Sequence, residues 1–203
     1  PGMDQMLFSL PLSGSTFKKV YFDPLKARAV AEFVPAQDVV VSYSATDLAT
    51  APRVTHVLKM TDNDVRKMQF SGIYKDIDLG SAGDAQEDEV EEKVNKLQGL
   101  SRSYTDDIRT ILEMHCDLDI DGFEDTDQMG EPTGIKLPYI VTIDKDSGQV
   151  LAIRRNYDEI DPIKKKRQYF VHYKFLPGLG FYGFGLVHMI GGLGRAATSI
   201  LRQ

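Results

Sequence analysis

The sequence predicts an α+β fold, built mainly of antiparallel strands and hairpins with a few helices. Three observations carry this. Several short stretches alternate apolar and polar residues with a period of two, as half-buried strands do. Two pairs of these stretches are separated by turn residues, Asp23-Pro24-Leu25-Lys26 and Lys145-Asp146-Ser147-Gly148, which is a hairpin signal. Elsewhere the apolar spacing changes to three or four, the helical period, most clearly over Leu186–Gln203.

In chain order, Met6–Ser13 reads as a short apolar lead-in whose partner lies elsewhere in an intact protein. Phe17–Phe22 and Arg28–Val34 form the first hairpin. Pro35-Ala36-Gln37 separates it from Asp38–Tyr43, where the β-branched Val39-Val40-Val41 is expected to be buried. Ser44–Ala51 is a connecting turn, and Arg53–Met60 alternates again, with His56 inside the strand. Thr61 is placed to cap a helix over Asp62–Phe70, whose early acids suit the helix dipole, and Ser71-Gly72 ends it. Ile73–Leu79 has no clear period, and Gly80–Asp84 reads as a loop. Ala85–Leu97 is an acidic amphipathic helix with Val90, Val94 and Leu97 at helical spacing, and Gly99–Asp107 is a polar linker. A strand is expected from about Ile111 to Ile120, then a loop over Glu124–Thr133. Leu137–Asp144 and Gln149–Arg155 form the second hairpin. Tyr157–Ile163 is turn-like, Gln168–Leu176 is an aromatic-rich strand, and Pro177–Gly185 is a glycine-rich loop. A final helix starts within residues 184–203. Its last residues, Leu201-Arg202-Gln203, stop in mid-pattern with no capping Gly or Pro, so the helix is expected to continue in a longer protein. Residues 1–203 are read as a single α+β fragment of such a protein.

Composition narrows the function. The chain has 203 residues, a net charge of −6 and one cysteine, Cys116. One cysteine excludes an internal disulfide and Cys-rich zinc sites. On a strand, His115 and Cys116 point to opposite faces, which removes the adjacent histidine as a partner for the thiol. The acidic balance argues against broad nucleic-acid binding, which rests on cationic contacts to phosphate. No apolar run reaches the ~18–20 residues that span a bilayer. The basic run Lys164, Lys165, Lys166, Arg167 lies beside Tyr169, Phe170 and Tyr173 and is the candidate contact for a phosphate backbone or an acidic partner.

Motifs for catalysis are weak. Gly178-Leu179-Gly180-Phe181-Tyr182-Gly183 spells a dinucleotide fingerprint between a strand and a helix. Phe181 and Tyr182 would crowd a pyrophosphate, however, and the chain ends about 20 residues on, where a ribose-binding acid should lie. Asp117, Asp119, Asp121 and Gly122 imitate the start of an EF-hand loop, but position twelve is Gln128 instead of glutamate and no helix pair flanks it. No P-loop, G-x-S-x-G, H-E-x-x-H or C-x-x-C occurs, and the four histidines are dispersed. No catalytic, cofactor-binding or metal-binding residue is assigned.

Two long stretches have distinctive wording: FKKVYFDPLKARAVAEFVPAQDVVVSYSATDLATAPRVTHVLKM over Phe17–Met60, and HYKFLPGLGFYGFGLVHMIGGLGRAATSILRQ near the end. Together they resemble the portal proteins of tailed bacteriophages and prophages, with the acidic middle more variable. The resemblance covers about Phe17–Met60 and Tyr169–Gln203. It implies a structural, non-enzymatic subunit of a ring, usually of twelve copies, at one vertex of a capsid. Double-stranded DNA would pass through the ring during packaging and ejection, and a neutral or acidic channel wall would let it slide. Terminase would dock first, and tail or head-completion proteins later. The location would be the virion, after assembly in the bacterial cytoplasm, with no cofactor and no membrane partner. As a fragment of the outer body of such a subunit, the chain should expose apolar surface on Met6–Leu12 and on the final helix, to be covered by other parts of the subunit or by neighbours. An alternative of another class is a nucleotide- or metal-dependent enzyme using the Gly178–Gly183 loop or the Asp117–Asp121 acids. A third is an acidic interaction domain working through Glu87–Glu92.

Overall fold

A computed structural model describes residues 2–23, 27–80, 93, 96, 99, 108–127 and 129–202. Among these residues it shows an α+β fold with eight strands in two antiparallel sheets and three α-helices. The helices are α1 (Gly2–Ser13), α2 (Asp62–Phe70) and α3 (Leu186–Arg202). The strands are β1 (Ser15–Asp23), β2 (Arg28–Val34), β3 (Val39–Val41), β4 (Arg53–Thr61), β5 (Ile108–Leu118), β6 (Leu137–Asp144), β7 (Val150–Arg155) and β8 (Phe170–Lys174). The chain divides into two compact units, Pro1–Thr55 with Tyr157–Gln203, and His56–Asn156. No linker composition marks the division, because its first boundary falls inside β4.

The first unit is built on a sheet of order β2-β1-β8. The hairpin pairs Phe17 with Val34 and Asp23 with Arg28, as the alternation and the intervening turn predict. β8 adds to the other edge of β1, pairing Ser15 with Lys174 and Phe17 with His172. One core contains Phe17, Val34, Val39, Leu48, Val54, Phe170 and Phe181. Val39 is buried, but Val40 is 46% exposed. The expectation that all three valines are buried is corrected here: successive residues of a strand face opposite sides.

Met6–Ser13, expected as a short apolar lead-in with its partner elsewhere, is most of α1 and packs against β1, β2 and α3 of this chain. Pro11 lies in its last turns, where its missing N–H removes one hydrogen bond near the helix end. Met6 is buried, whereas Leu7, Phe8 and Leu12 stand in solvent. α3 carries no buried residue at all; Leu193 is 73% and Leu201 87% exposed.

The second unit holds β5, β6 and β7, the later part of β4, and α2. Leu118 pairs with Leu137 and Ile111 with Asp144, and β6 and β7 form the expected hairpin, with a bulge at Thr142/Ile143. Asp144 shapes its turn: one carboxylate oxygen, Oδ2, accepts the Ser147 N–H (3.1 Å) and the Ser147 hydroxyl (2.6 Å). Gly148 closes the turn at φ +68°, a conformation that costs glycine little. α2 starts as the sequence predicts, with the Thr61 hydroxyl accepting the Asp64 N–H (3.2 Å). Lys67 donates to Asp64 Oδ1 at 2.9 Å and the Thr61 hydroxyl to Asp64 Oδ2 at 2.9 Å, and these two contacts, Lys67 first, hold the Asp64 carboxyl below its usual range. Val65, Ile111 and Leu151 form the core of this unit, with Leu58, Met60, Tyr74, Ile77 and Leu79 packed on it. The strand expected from about Ile111 to Ile120 begins three residues earlier and ends at Leu118. The turn residues Pro24, Leu25 and Lys26, the acids Glu87–Glu92 and most of the helix and linker expected over Ala85–Leu97 and Gly99–Asp107 lie outside the described residues.

Candidate functional site

The basic run Lys164–Arg167 follows a tight turn built by acids. Asp161 Oδ1 accepts the Ile163 N–H (3.0 Å) and Asp161 Oδ2 the Lys165 N–H (3.2 Å). Lys164 takes φ +47°, an uncommon conformation for a side-chain-bearing residue, and this redirects the chain. The four cations do not project together. Lys166 is partly buried and its ammonium donates to the Ala51 carbonyl (2.9 Å). The Arg167 guanidinium lies 3.4 Å from the Asp158 carboxylate, with both side chains more than half exposed. Lys164 is partly buried, and Lys165 is exposed. A phosphate backbone would therefore meet Lys165 and the screened Arg167–Asp158 pair, not a row of four charges; an exposed pair of this kind is worth little.

The glycine loop is filled by the protein itself. Phe181 is buried and stacks on His172 (ring centroids 4.8 Å), which in turn stacks on Phe17 (4.3 Å). Tyr182 donates its hydroxyl proton to the Val39 carbonyl (3.2 Å), and the Gly183 N–H donates to the buried Ser15 hydroxyl oxygen (2.8 Å). A Cβ on Gly183 would come within 2.5 Å of the Gly14 carbonyl oxygen and one on Gly185 within 2.3 Å of the Leu12 carbonyl oxygen. These two glycines thus allow backbone to touch backbone. A pyrophosphate cradle needs free N–H groups around an open space, whereas here the Gly183 amide is used internally and an aromatic ring occupies the interior.

Ser15 and His172 form a Ser–His pair that no sequence motif announces, with Oγ and Nε2 3.1 Å apart. Burial, followed by the positive charge of Lys174, pushes the His172 pKa down to about 4. The ring is therefore neutral near pH 7. Ser15 already accepts the Gly183 N–H and can give its own proton to an unprotonated Nε2. With Ser15 only 1% exposed, this oxygen is a structural knot joining β1, β8 and the loop, out of reach of a substrate.

In the second unit, Asp117, Asp119 and Asp121 are exposed, Gly122 turns the chain at φ +82°, and Gln128 lies outside the described residues. No group of three or more potential metal ligands is assembled among the described residues. His115 is buried, with its Nε2 2.8 Å from Glu113 on the same strand face, while the neighbouring Cys116 lies on the other face. The charged cluster that the sequence did not reveal is centred on Arg109, which is 2% exposed. Its Nε bonds Asp62 Oδ1, its Nη2 donates to the Gly80 carbonyl, and its Nη1 lies 3.4 Å from the Leu79 carbonyl oxygen and 3.5 Å from Asp144 Oδ2. Asp62 and Asp144 are 47 and 35 residues away in sequence, so no local motif links them to Arg109.

Compared with known proteins, the chain matches no family model and no curated protein. No helix among the described residues is long and apolar enough to cross a membrane.

Proposed function

We infer that the chain is a structural piece of an oligomeric assembly: a phage portal subunit whose ring passes double-stranded DNA and docks terminase and, later, tail or head-completion proteins. The observation that carries this reading is the apolar surface of the first unit. Leu7, Phe8 and Leu12 on α1 and Val187, Ile190, Leu193, Ile200 and Leu201 on α3 are all exposed. A monomer in water rarely keeps apolar surface on this scale, whereas a subunit in a larger body covers it. The wording of Phe17–Met60 and of the terminal stretch supports the portal assignment, and the structural use of the glycine loop fits a scaffold. In this reading the chain performs no reaction, and Lys165 with Arg167 is the candidate contact for DNA or an acidic partner.

The test is electron microscopy of the full-length protein, wild type and Ile190→Glu/Leu193→Glu. Rings with a central channel in the wild type, lost in the double variant while circular dichroism is retained, are expected. A monodisperse monomer across low and high salt would overturn the reading.

A further inference from the structure

After α2 the chain crosses the second unit as the segment Ile73–Gly80 without joining a sheet. Tyr74, Ile77 and Leu79 pack inward against the core of Val65, Ile111 and Leu151, while Lys75, Asp76, Asp78 and Gly80 face solvent. Burial of Tyr74, followed by the nearby charge of Glu113, pushes its pKa up to about 12, so it stays neutral against the core. An open cavity of about 260 Å³ lies beside this segment, lined in part by Asp62, Gln69, Asp76, Asp78 and Arg109.

The segment's attachments differ from those of a strand. Among the described residues, a single backbone bond ties it to the sheet, from the Lys75 N–H to the Leu151 carbonyl (2.7 Å). Two more backbone bonds, from the Ile73 and Tyr74 N–H groups to the Met68 carbonyl (3.0 and 3.1 Å), fix its start to the end of α2, and the rest of the hold comes from side chains. Gln69 Nε2 donates to the Lys75 and Ile77 carbonyls (3.2 and 2.8 Å), and Arg109 donates to the Leu79 and Gly80 carbonyls. Arg109 is itself held by Asp62 at the start of α2 and by Asp144 at the β6–β7 turn. The ladder pairing β5 with β6, and β6 with β7, does not pass through the segment.

We propose that Ile73–Gly80 is a strap that opens as one piece from the second unit, with Arg109 as its latch and Gln69 as its hinge-side clasp. Opening that pivots on the two bonds to Met68 breaks one backbone bond to the sheet and a few side-chain bonds and exposes apolar side chains and the cavity, leaving the sheet ladder whole. A piece held in this way opens at lower cost than the sheet beside it. Arg109 is a positioning residue: two carboxylates hold its guanidinium so that two of its arms meet successive carbonyls. The inference is independent of the portal reading.

Hydrogen exchange of the whole chain, followed by mass spectrometry, tests it in the wild type, Arg109→Met and Gln69→Ala. The strap amides, Lys75 in particular, should exchange faster than those of β6 in the wild type. Loss of the two Gln69 bonds should speed strap exchange by about tenfold, with β6 and β7 within about twofold. Arg109→Met should act in the same direction and more strongly. If that variant does not fold, Gln69→Ala decides. Unchanged strap exchange in Gln69→Ala overturns the proposal. So does an equal acceleration of strap and β6, because the strap would then open only when the unit unfolds.

Discussion

In the first unit the stack of Phe17, His172 and Phe181 is enclosed, yet Phe8 on α1, Phe22 on β1 and nearly the whole apolar side of α3 stand in solvent. Among the described residues, the second unit has a core around Val65, Ile111 and Leu151 and fewer exposed large apolar residues than the first. Several of these, Phe123, Met129 and Ile135, lie in loops. It also encloses charge: Arg109 and Asp144 are almost fully buried against each other, with Asp62 completing the group. Enclosing a charge pair is costly unless geometry and further hydrogen bonds compensate, and Arg109 obtains those from the Leu79 and Gly80 carbonyls. The difference teaches that the two units are finished in different ways. The second encloses a charge cluster whose members pair with one another, while the first leaves the apolar residues of α1 and α3 in solvent.

The largest expected effect that sharpens this contrast comes from Phe17→Ala. Phe17 is 0% exposed and touches both His172 and Phe181, so its loss should destabilise the first unit by ~3–5 kcal/mol. Hydrogen exchange should register that loss on β1, β2 and β8 while leaving β6 and β7 protected. An equal loss in both units would break the contrast and make the chain one cooperative body.

A middle-sized effect comes from acid. His172 titrates at about 4 in the fold and near 6.5 in an unfolded chain. Between these values the unfolded state binds the proton and the folded state does not. Stability is therefore full above about pH 6.5 and falls as the pH drops toward 4. The slope should appear in denaturant titrations of the wild type and flatten in His172→Phe. A profile as steep in that variant would assign the acid loss to other groups.

The smallest effect belongs to the second unit. Thr61→Ala removes the side chain that accepts the Asp64 N–H, and ~1 kcal/mol should be lost, read as a drop in the denaturation midpoint. The loss should be confined to α2 and its neighbours; spread into β1 and β8 would again contradict separate units.

The hairpins and the α2 cap were legible because their signals are local. β2 and β6 have the predicted bounds, since Asp23-Pro24-Leu25-Lys26 and Pro35 bracket the first and Lys145-Asp146-Ser147-Gly148 ends the second, and Thr61 stands immediately before the first helical residue. α1 was hidden by Pro11, which argues against a helix by propensity, although near a helix end it costs only one bond. The start of β5 was obscured by Arg109, a cation at a buried position where alternation calls for an apolar residue. Its acceptability depends on Asp62 and Asp144, which only the fold brings near. Ile73–Gly80 showed no period because its hydrogen bonds come mainly from side chains, so nothing forces a repeat. At the glycine loop the letters spell a phosphate cradle, but Phe181 and Tyr182 already argued against one, and the space is taken by Phe181 and by the approach of Gly14.

That approach also has a mechanical meaning. At Gly14, Gly183 and Gly185 the chain leaving α1 and the chain entering α3 press together with no side chain between them, and the Gly183 amide is fastened to Ser15 at the first residue of β1. A load drawn along α3 would reach β1 through this joint before it reached the core. β1 is hydrogen-bonded on both edges, to β2 and to β8, so a load that reaches it is shared by two neighbours. The joint therefore ties the start of α3 to the start of β1 through glycine backbone and the Ser15 hydroxyl.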